Sequence, residues 1–238
     1  MAYGSNLIQE HLTFDINRGD VFVIMGVSGC GKSTLLKHMI GLYPPAGGDI
    51  LYAGESFERA DDDRRFAMRR SWGITYQTGG LFSAMTLAEN TALPLQQYTD
   101  LSSAEIADVV AYKLALVGLG GYQEYYPSEI SGGMQKRAGL ARAIALDPDI
   151  LFFDEPSAGL DPISSQLLDE LIVEMKESLG ATVVIVTHEL ASIFAISNNS
   201  VFLDAETKTM IDYGNPADLV ESSQHEKVRR FLSRGKTG

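Results

Sequence analysis

The chain has 238 residues, 45% of them hydrophobic and 21% charged, a composition that buries a sizeable core as one large domain or two small ones. Its formal net charge of −12 opposes non-specific binding to nucleic acid or to anionic lipid, and its single cysteine, Cys30, excludes an internal disulfide and a cysteine-built metal cluster. The first residues carry no secretory n-region and no apolar run reaches the roughly eighteen residues of a membrane span, so the chain is expected to be soluble by itself and held at any membrane by another protein.

In chain order, the first strong element is VFVIM (21–25), a short run of apolar residues that does not alternate. It predicts a strand buried on both faces of a parallel sheet. GVSGCGKST (26–34) follows at once and leads into the helical LLKHMIG. Gly26, Gly31, Lys32 and Ser33 satisfy the phosphate-binding pattern G-x-x-x-x-G-K-[ST], with Ser28, Gly29, Cys30 and Thr34 completing the loop. Glycines let backbone N–H groups surround a polyphosphate, and the helix start adds partial positive charge. Lys32 is placed to reach the β- and γ-phosphates and Ser33 to ligate Mg²⁺. DDDRR (61–65) reads as a solvated loop, and WGITYQ ends a further strand on Gln77.

From about 82 to 145 the signals are helical, without a convincing strand, which predicts a helical subdomain inserted into the sheet domain. Within it, Ser102 and Glu105 form a capping box ahead of an apolar face of Ile106, Val109, Val110, Leu114 and Val117. ISGGMQKRAGLARAIA (130–145) begins a helix with a serine and two glycines. That is an expensive start, at roughly 1 kcal/mol per glycine against alanine, and it implies that something approaches the backbone closely.

LFFDEP (151–156) sets two carboxylates just past a buried strand, where open α/β sheets bind ligands. Asp154 there would hold Mg²⁺, and Glu155 would polarise a water attacking the γ-phosphate. SAGLDP (157–162) leads into a helix with Asp161 as N-cap and Pro162 in the first turn. The apolar stripe of that helix is Ile163, Leu167, Leu168, Leu171, Ile172 and Met175, and Gly180 ends it. TVVIV (182–186) is a third buried strand, and His188 directly after it should face the same crevice. His11, His38 and His225 read as structural or surface residues.

The order and spacing of these motifs resemble the nucleotide-binding subunits of ABC transporters over nearly the whole chain. The matching residues are the loop 26–34, Gln77, ISGGM (130–134), LFFDEP, SAGLD and His188. The resemblance implies an α/β P-loop NTPase fold, an ABC-type domain spanning 1–238 with a parallel-sheet core, an N-terminal β part and the helical subdomain at 82–145. It implies ATP and Mg²⁺ as cofactors, with Ser33, Gln77 and Asp154 at the metal and Glu155, His188 and Gln77 in catalysis. Ser131, Gly132 and Gly133 would cap the ATP held by a second copy of the chain in a head-to-tail dimer, with Asp161 communicating between the two sites. Met134 stands where Gln is common, which leaves the capping donors in place. Members also carry a strand before an aromatic residue that stacks on adenine. Here the chain opens on MAYG, which makes Tyr3 that aromatic without its preceding strand and points to a mis-assigned start or a truncation. Cys30 lies in the loop, and a bulky reagent on it is expected to block ATP binding, the helix start favouring its thiolate.

Four stretches are most similar to the ATPases of Mla/Mce-type phospholipid transporters: QTGGLFSAMTLAENTALPL (77–95), 128–163, THELASIFAI (187–196) and KVRRFLSRG (227–235). That similarity implies an integral-membrane permease, a STAS-domain subunit and an MCE-domain lipid-binding subunit as partners, at the cytoplasmic face of an inner membrane. The segment 79–95, with Leu81, Phe82, Met85 and Leu87, is either a docking site for the permease or plain core. Alternatives are the ATPase of a solute importer or of a lipoprotein-releasing system, and a soluble ABC protein without transport.

Overall fold

A computed structural model describes residues 1–3 and 6–234 of the chain, with the backbone alone at residues 2, 3 and 6. The chain divides into two compact units, Met1–Arg69 with Thr182–Gly238, and Arg70–Ala181. In chain order the first unit begins with the short antiparallel pair β1 (Ala2–Tyr3) and β2 (Asn6–Leu7). Then come β3 (Val21–Gly26), α1 (Lys32–Met39), the pair β4 (Leu51–Tyr52) and β5 (Glu55–Ser56), and α2 (Asp62–Arg70). The second unit holds β6 (Trp72–Thr75), α3 (Leu87–Tyr98), α4 (Ser103–Leu116), α5 (Gly132–Ala143), β7 (Ile150–Asp154) and α6 (Pro162–Leu179). The chain then returns to the first unit as β8 (Thr182–Val186), α7 (Leu190–Ile196), β9 (Asn199–Asp204), β10 (Thr209–Gly214), α8 (Pro216–Ser222) and α9 (Glu226–Ser233). Among the described residues no helix is long and apolar enough to cross a membrane.

The first unit is built on a mixed sheet in the order β10, β9, β3, β8. β3 runs parallel to both β8 and β9, while β9 and β10 are antiparallel. Phe22, Val23, Ile24 and Met25 on β3 are wholly buried, as are Val183 to Val186 on β8 to within a per cent. A strand covered on both faces has no solvent side to mark with polar residues, so its sequence does not alternate. Phe14 stacks on Phe22, and Phe231 of α9 meets Phe202 of β9 edge to face. The DDDRR run is solvent-exposed but helical rather than a loop. Asp61 caps α2 by accepting from Arg64 N at 2.8 Å, and Asp62 and Asp63 sit in its first turn, where the helix dipole favours acids.

In the second unit β6 and β7 pair in parallel, Trp72 opposite Ile150 through Thr75 opposite Phe153. Between them α3, α4 and α5 pack on one another, and the described residues of 82–145 contain no strand, as the periodicity requires. Ser102 and Glu105 make the expected capping box of α4, and Thr86 and Glu89 make another on α3. Asp161 caps α6, and Gly180 ends it at a φ of 64°. The stripe assigned to α6 is only half core. Leu168, Leu171, Ile172 and Met175 are buried, but Ile163 is 81% exposed and Leu167 43%. These two continue the helical period into the first turns of α6, where the described residues leave them exposed.

Candidate active site

In the first unit the buried strand β3 delivers the chain into the loop 26–31, and α1 begins directly after it. Gly26 has a φ of 146°, and a Cβ there would lie 2.4 Å from Leu203 O and 2.8 Å from Cys30 Sγ. Gly31, the N-cap of α1, has a φ of 101° and would put a Cβ 2.7 Å from Ile8 Cγ2. Any larger residue at either place forces the loop open. No side chain caps α1 and no acidic residue lies in its first turn. Its leading N–H groups and dipole therefore present a positive end suited to an anion. Lys32, 7% exposed, folds along the loop and donates from Nζ to Gly26 O at 2.9 Å and Val27 O at 3.2 Å. Ser28 and Gly29 form the exposed tip, while Ser33 and Thr34 are half-buried on the first turn of α1.

Because β3 and β8 are parallel neighbours, the end of β8 lies on the same sheet edge as this loop. Thr187 is buried there and its Oγ1 accepts from Glu189 N at 3.1 Å, which turns the chain so that the His188 side chain is exposed. Cys30 behaves differently from the expectation. Its thiol is buried, and desolvation pushes its pKa up against the smaller opposing pull of Lys32. A buried neutral thiol replaces the reactive thiolate that the helix start suggested. The side chain of Tyr3, expected on adenine, lies outside the described residues.

In the second unit the parallel pairing of β6 and β7 brings Gln77, two residues past β6, to the same edge as Asp154 and Glu155 at the end of β7. Asp154 and Glu155 are both half-buried. Glu155 adopts a φ of 49°, a left-handed conformation that non-glycine residues hold at a cost and that concentrates at functional sites. Lys136 of α5 donates to Gln77 O. Desolvation lowers the Lys136 pKa, and the nearby Glu155 charge works against that lowering. No sequence signal singled out Lys136, which is 59 residues from its partner; only the fold places it here.

The loop after Gln77 lies directly on α5. A Cβ at Gly139 would be 2.6 Å from Gly79 O, and Arg142 Nη1 donates to Gly80 O at 2.6 Å. Asn90, wholly buried, holds the next stretch by donating to the carbonyls of Phe82, Met85 and Thr86 and accepting from Phe82 N. Within the segment 79–95 Leu87 is core, while Phe82 is 52% exposed under the Arg142 guanidinium.

Ser131 is the N-cap of α5, its Oγ accepting from Met134 N at 3.2 Å. That bond uses a lone pair and leaves the O–H able to donate. Gly132 and Gly133 have no left-handed φ. A Cβ on Gly132 would meet nothing within 4 Å, and one on Gly133 would make ordinary contact with Ser164 Oγ at 3.5 Å. Among the described residues nothing requires glycine at either position. Asp161 accepts from Ile163 N, Ser164 N and Ser164 Oγ, and these bonds lower its pKa. Among the described residues no group of three His, Cys, Asp or Glu is preassembled around a metal.

A strand–loop–helix phosphate cradle of this pattern defines a P-loop nucleotide-binding protein. The ABC transporter family model matches residues 9–158. The chain is 41% identical over 237 residues to the probable ribonucleotide transport ATP-binding protein mkl of Mycobacterium leprae (strain TN), covering 100% of this chain and 67% of that one. It is 38% identical over 229 residues to the intermembrane phospholipid transport system ATP-binding protein MlaF of Escherichia coli (strain K12), covering 96% of this chain and 84% of that protein. The chain spans about two thirds of the length of the mycobacterial relatives, 65% of the Mycobacterium tuberculosis (strain ATCC 25618 / H37Rv) protein. Among solved structures, the dimeric post-hydrolysis state of the ATP-binding cassette MJ0796 bound to ADP and Pi matches with a TM-score of 0.79 at 28% identity, covering 87% of this chain and 90% of that one. CbiO1 from Clostridium perfringens, part of the ABC transporter complex cbiONQ, matches with a TM-score of 0.83 at 28% identity, covering 99% and 94%. The chain belongs to the ABC transporter family, and it is an ATPase of the ATP-binding cassette type.

Proposed function

We propose that this chain powers a phospholipid transporter as one of two identical ATPase subunits beneath an integral-membrane permease. It acts as a single cassette domain, with about 82–145 as its helical subdomain. The observation that carries the paired arrangement is the start of α5. Gly132 and Gly133 are tolerated there at the expense of helix stability although no contact among the described residues excludes a Cβ. Bare N–H groups with an exposed serine O–H at a helix start suit the γ-phosphate of an ATP held by the other copy. The dimeric cassette bound to ADP and Pi supports the same reading. The phospholipid cargo rests on the relative named for phospholipid transport and on the four stretches quoted above; the mycobacterial relative is named for ribonucleotide transport.

In this reading the loop 26–34 binds the phosphates and Tyr3 stacks on the base. Ser33, Gln77 and Asp154 offer a hydroxyl, an amide and a carboxylate oxygen, a hard donor set that suits Mg²⁺. Bound there, the ion would neutralise charge on the phosphates. Glu155 polarises the attacking water, and His188 and Gln77 orient it and the γ-phosphate. ATP closes the pair and hydrolysis reopens it, with Asp161 linking the two sites. Phe82 and its exposed surroundings receive the permease, and a STAS-domain subunit and a periplasm-facing MCE-domain lipid binder complete the assembly at the inner membrane.

Gly132→Ala and Gly133→Ala separate the chain's own needs from those of the pair. Each is expected to leave the melting temperature unchanged or raise stability by up to about 1 kcal/mol, since alanine is the better helix former and has room. Each should also cut ATPase activity by at least tenfold, because a methyl group occupies the approach to phosphate. Parent-level turnover in both variants would remove the argument for a shared site. The cargo is tested by purifying tagged Glu155→Gln chain with MgATP from solubilised membranes of the source organism. A permease with MCE-domain and STAS partners supports lipid transport, a different permease overturns the cargo, and no membrane protein overturns transport.

A further inference from the structure

Gln9 is wholly buried and stands outside the phosphate-binding motif, yet its carboxamide reaches that loop. Nε2 donates to Cys30 O at 2.6 Å and to Asp204 O, at the end of β9, at 2.9 Å. Both partners are pure acceptors, so the end that faces them is the amide nitrogen. Oε1 meets no donor among the described residues. The side chain is therefore held in place by its two hydrogens while its acceptor goes without, an arrangement that favours a role for the donors over simple filling of the core. The Gln9 stem packs directly on the loop as well, its Cγ 3.3 Å from where a Gly31 Cβ would be.

The Cys30 carbonyl matters because of what lies across its peptide bond. In a trans peptide the C=O and the following N–H point in opposite directions, and the described chain has no cis bonds. Whatever fixes Cys30 O therefore fixes the Gly31 N–H. Gly31 has a φ of 101°, and a glycine at that position puts little steric resistance in the way of the peptide turning over. We propose that Gln9 is a positioning residue of the nucleotide site: by holding Cys30 O outward it aims the Gly31 N–H inward, at the polyphosphate. The proposal rests on the nucleotide-site reading of the loop.

The other end of the fork is well anchored. The Asp204 carboxylate, 4% exposed, accepts from Thr207 N at 3.0 Å and Thr207 Oγ1 at 2.9 Å, and Lys227 of α9 reaches its two oxygens at 3.2 and 3.3 Å. Gln9 thus ties the Cys30–Gly31 peptide of the loop to a strand end held by Thr207 and Lys227.

The test is MgATP and MgADP binding by calorimetry, with turnover at saturating ATP, for the parent chain, Gln9→Met and a structural control. Methionine matches the length of glutamine and adapts to the site but donates nothing. The expected result is a rise in Kd of roughly tenfold for both nucleotides, the scale of one lost buried hydrogen bond, with kcat at saturation within about twofold of the parent. The control, Tyr52→Phe, removes a hydrogen bond to Met39 O elsewhere in the same unit and should lower the melting temperature without moving Kd. A folded Gln9→Met chain that binds as tightly as the parent overturns the positioning role and leaves the nucleotide site standing. A parent chain that fails to bind MgATP overturns the nucleotide reading itself. If Gln9→Met does not fold, Gln9→Glu decides. Its protonated acid donates one bond and its carboxylate none, so its affinity relative to the parent must fall as pH rises, and a ratio that does not change with pH overturns the proposal.

Discussion

Glu155→Gln is expected to bind MgATP with parent affinity while its turnover drops by about 100- to 10,000-fold, the range for losing a general base. The amide keeps the size and shape of the side chain, so β7, which ends at Asp154, and the left-handed backbone at Glu155 have no reason to move. What disappears is the negative charge proposed to draw a proton from water. The substitution also removes the charge that supports the desolvated ammonium of Lys136, so the Lys136 pKa should fall further. With hydrolysis blocked and binding intact, the ATP-bound pair should persist, and size-exclusion chromatography in MgATP should show a dimer that the parent forms only transiently. Phosphate release at saturating ATP checks the rate. Turnover at the parent rate would mean that another group serves as the base.

Lys32→Ala acts on binding instead. Lys32 is nearly buried, and its ammonium lies against the carbonyls of Gly26 and Val27 at the start of the loop, the place from which it can meet a polyphosphate. Truncating one partner of a buried charge pair costs about 2–5 kcal/mol, or roughly 30- to several-thousand-fold in Kd. The loss should exceed that of Gln9→Met, because a full charge is removed rather than the aim of one N–H. Calorimetry with MgATP measures it, alongside a melting curve to show that the variant is folded. Binding at parent affinity by a folded variant would refute the role given to Lys32.

Much of this was legible before any coordinates. A strand covered on both faces announces itself by failing to alternate, so β3 and β8 are legible as VFVIM and TVVIV, and β7 as the strand that LFFDEP ends. Capping is local chemistry, and Ser102 with Glu105 marks the start of α4, as Asp161 and Gly180 mark the two ends of α6. The same locality misled at Ile163 and Leu167. A period of 3.6 says that residues share a face of α6, but it does not say how far along the helix that face stays covered. α2 escaped because three aspartates and two arginines look like a solvated loop until Asp61 is seen to cap them. β9 and β10 were not predicted, being partly polar strands near the edge of their sheet.

The sequence by itself determined the phosphate-binding loop, the acidic strand end, the serine–glycine helix start and the family they define. Each is a contiguous stretch whose spacing along the chain is its chemistry. Only the tertiary structure decided which groups support them. Gln9 on the Cys30 carbonyl, Lys136 on the Gln77 carbonyl and Asn90 under the Phe82 loop are partners chosen by strand order and helix packing. The Cys30 thiol, which the helix start alone would activate, is held neutral by burial. Local backbone chemistry is written residue by residue, whereas desolvation and hydrogen bonds between distant residues exist only once the chain has closed on itself.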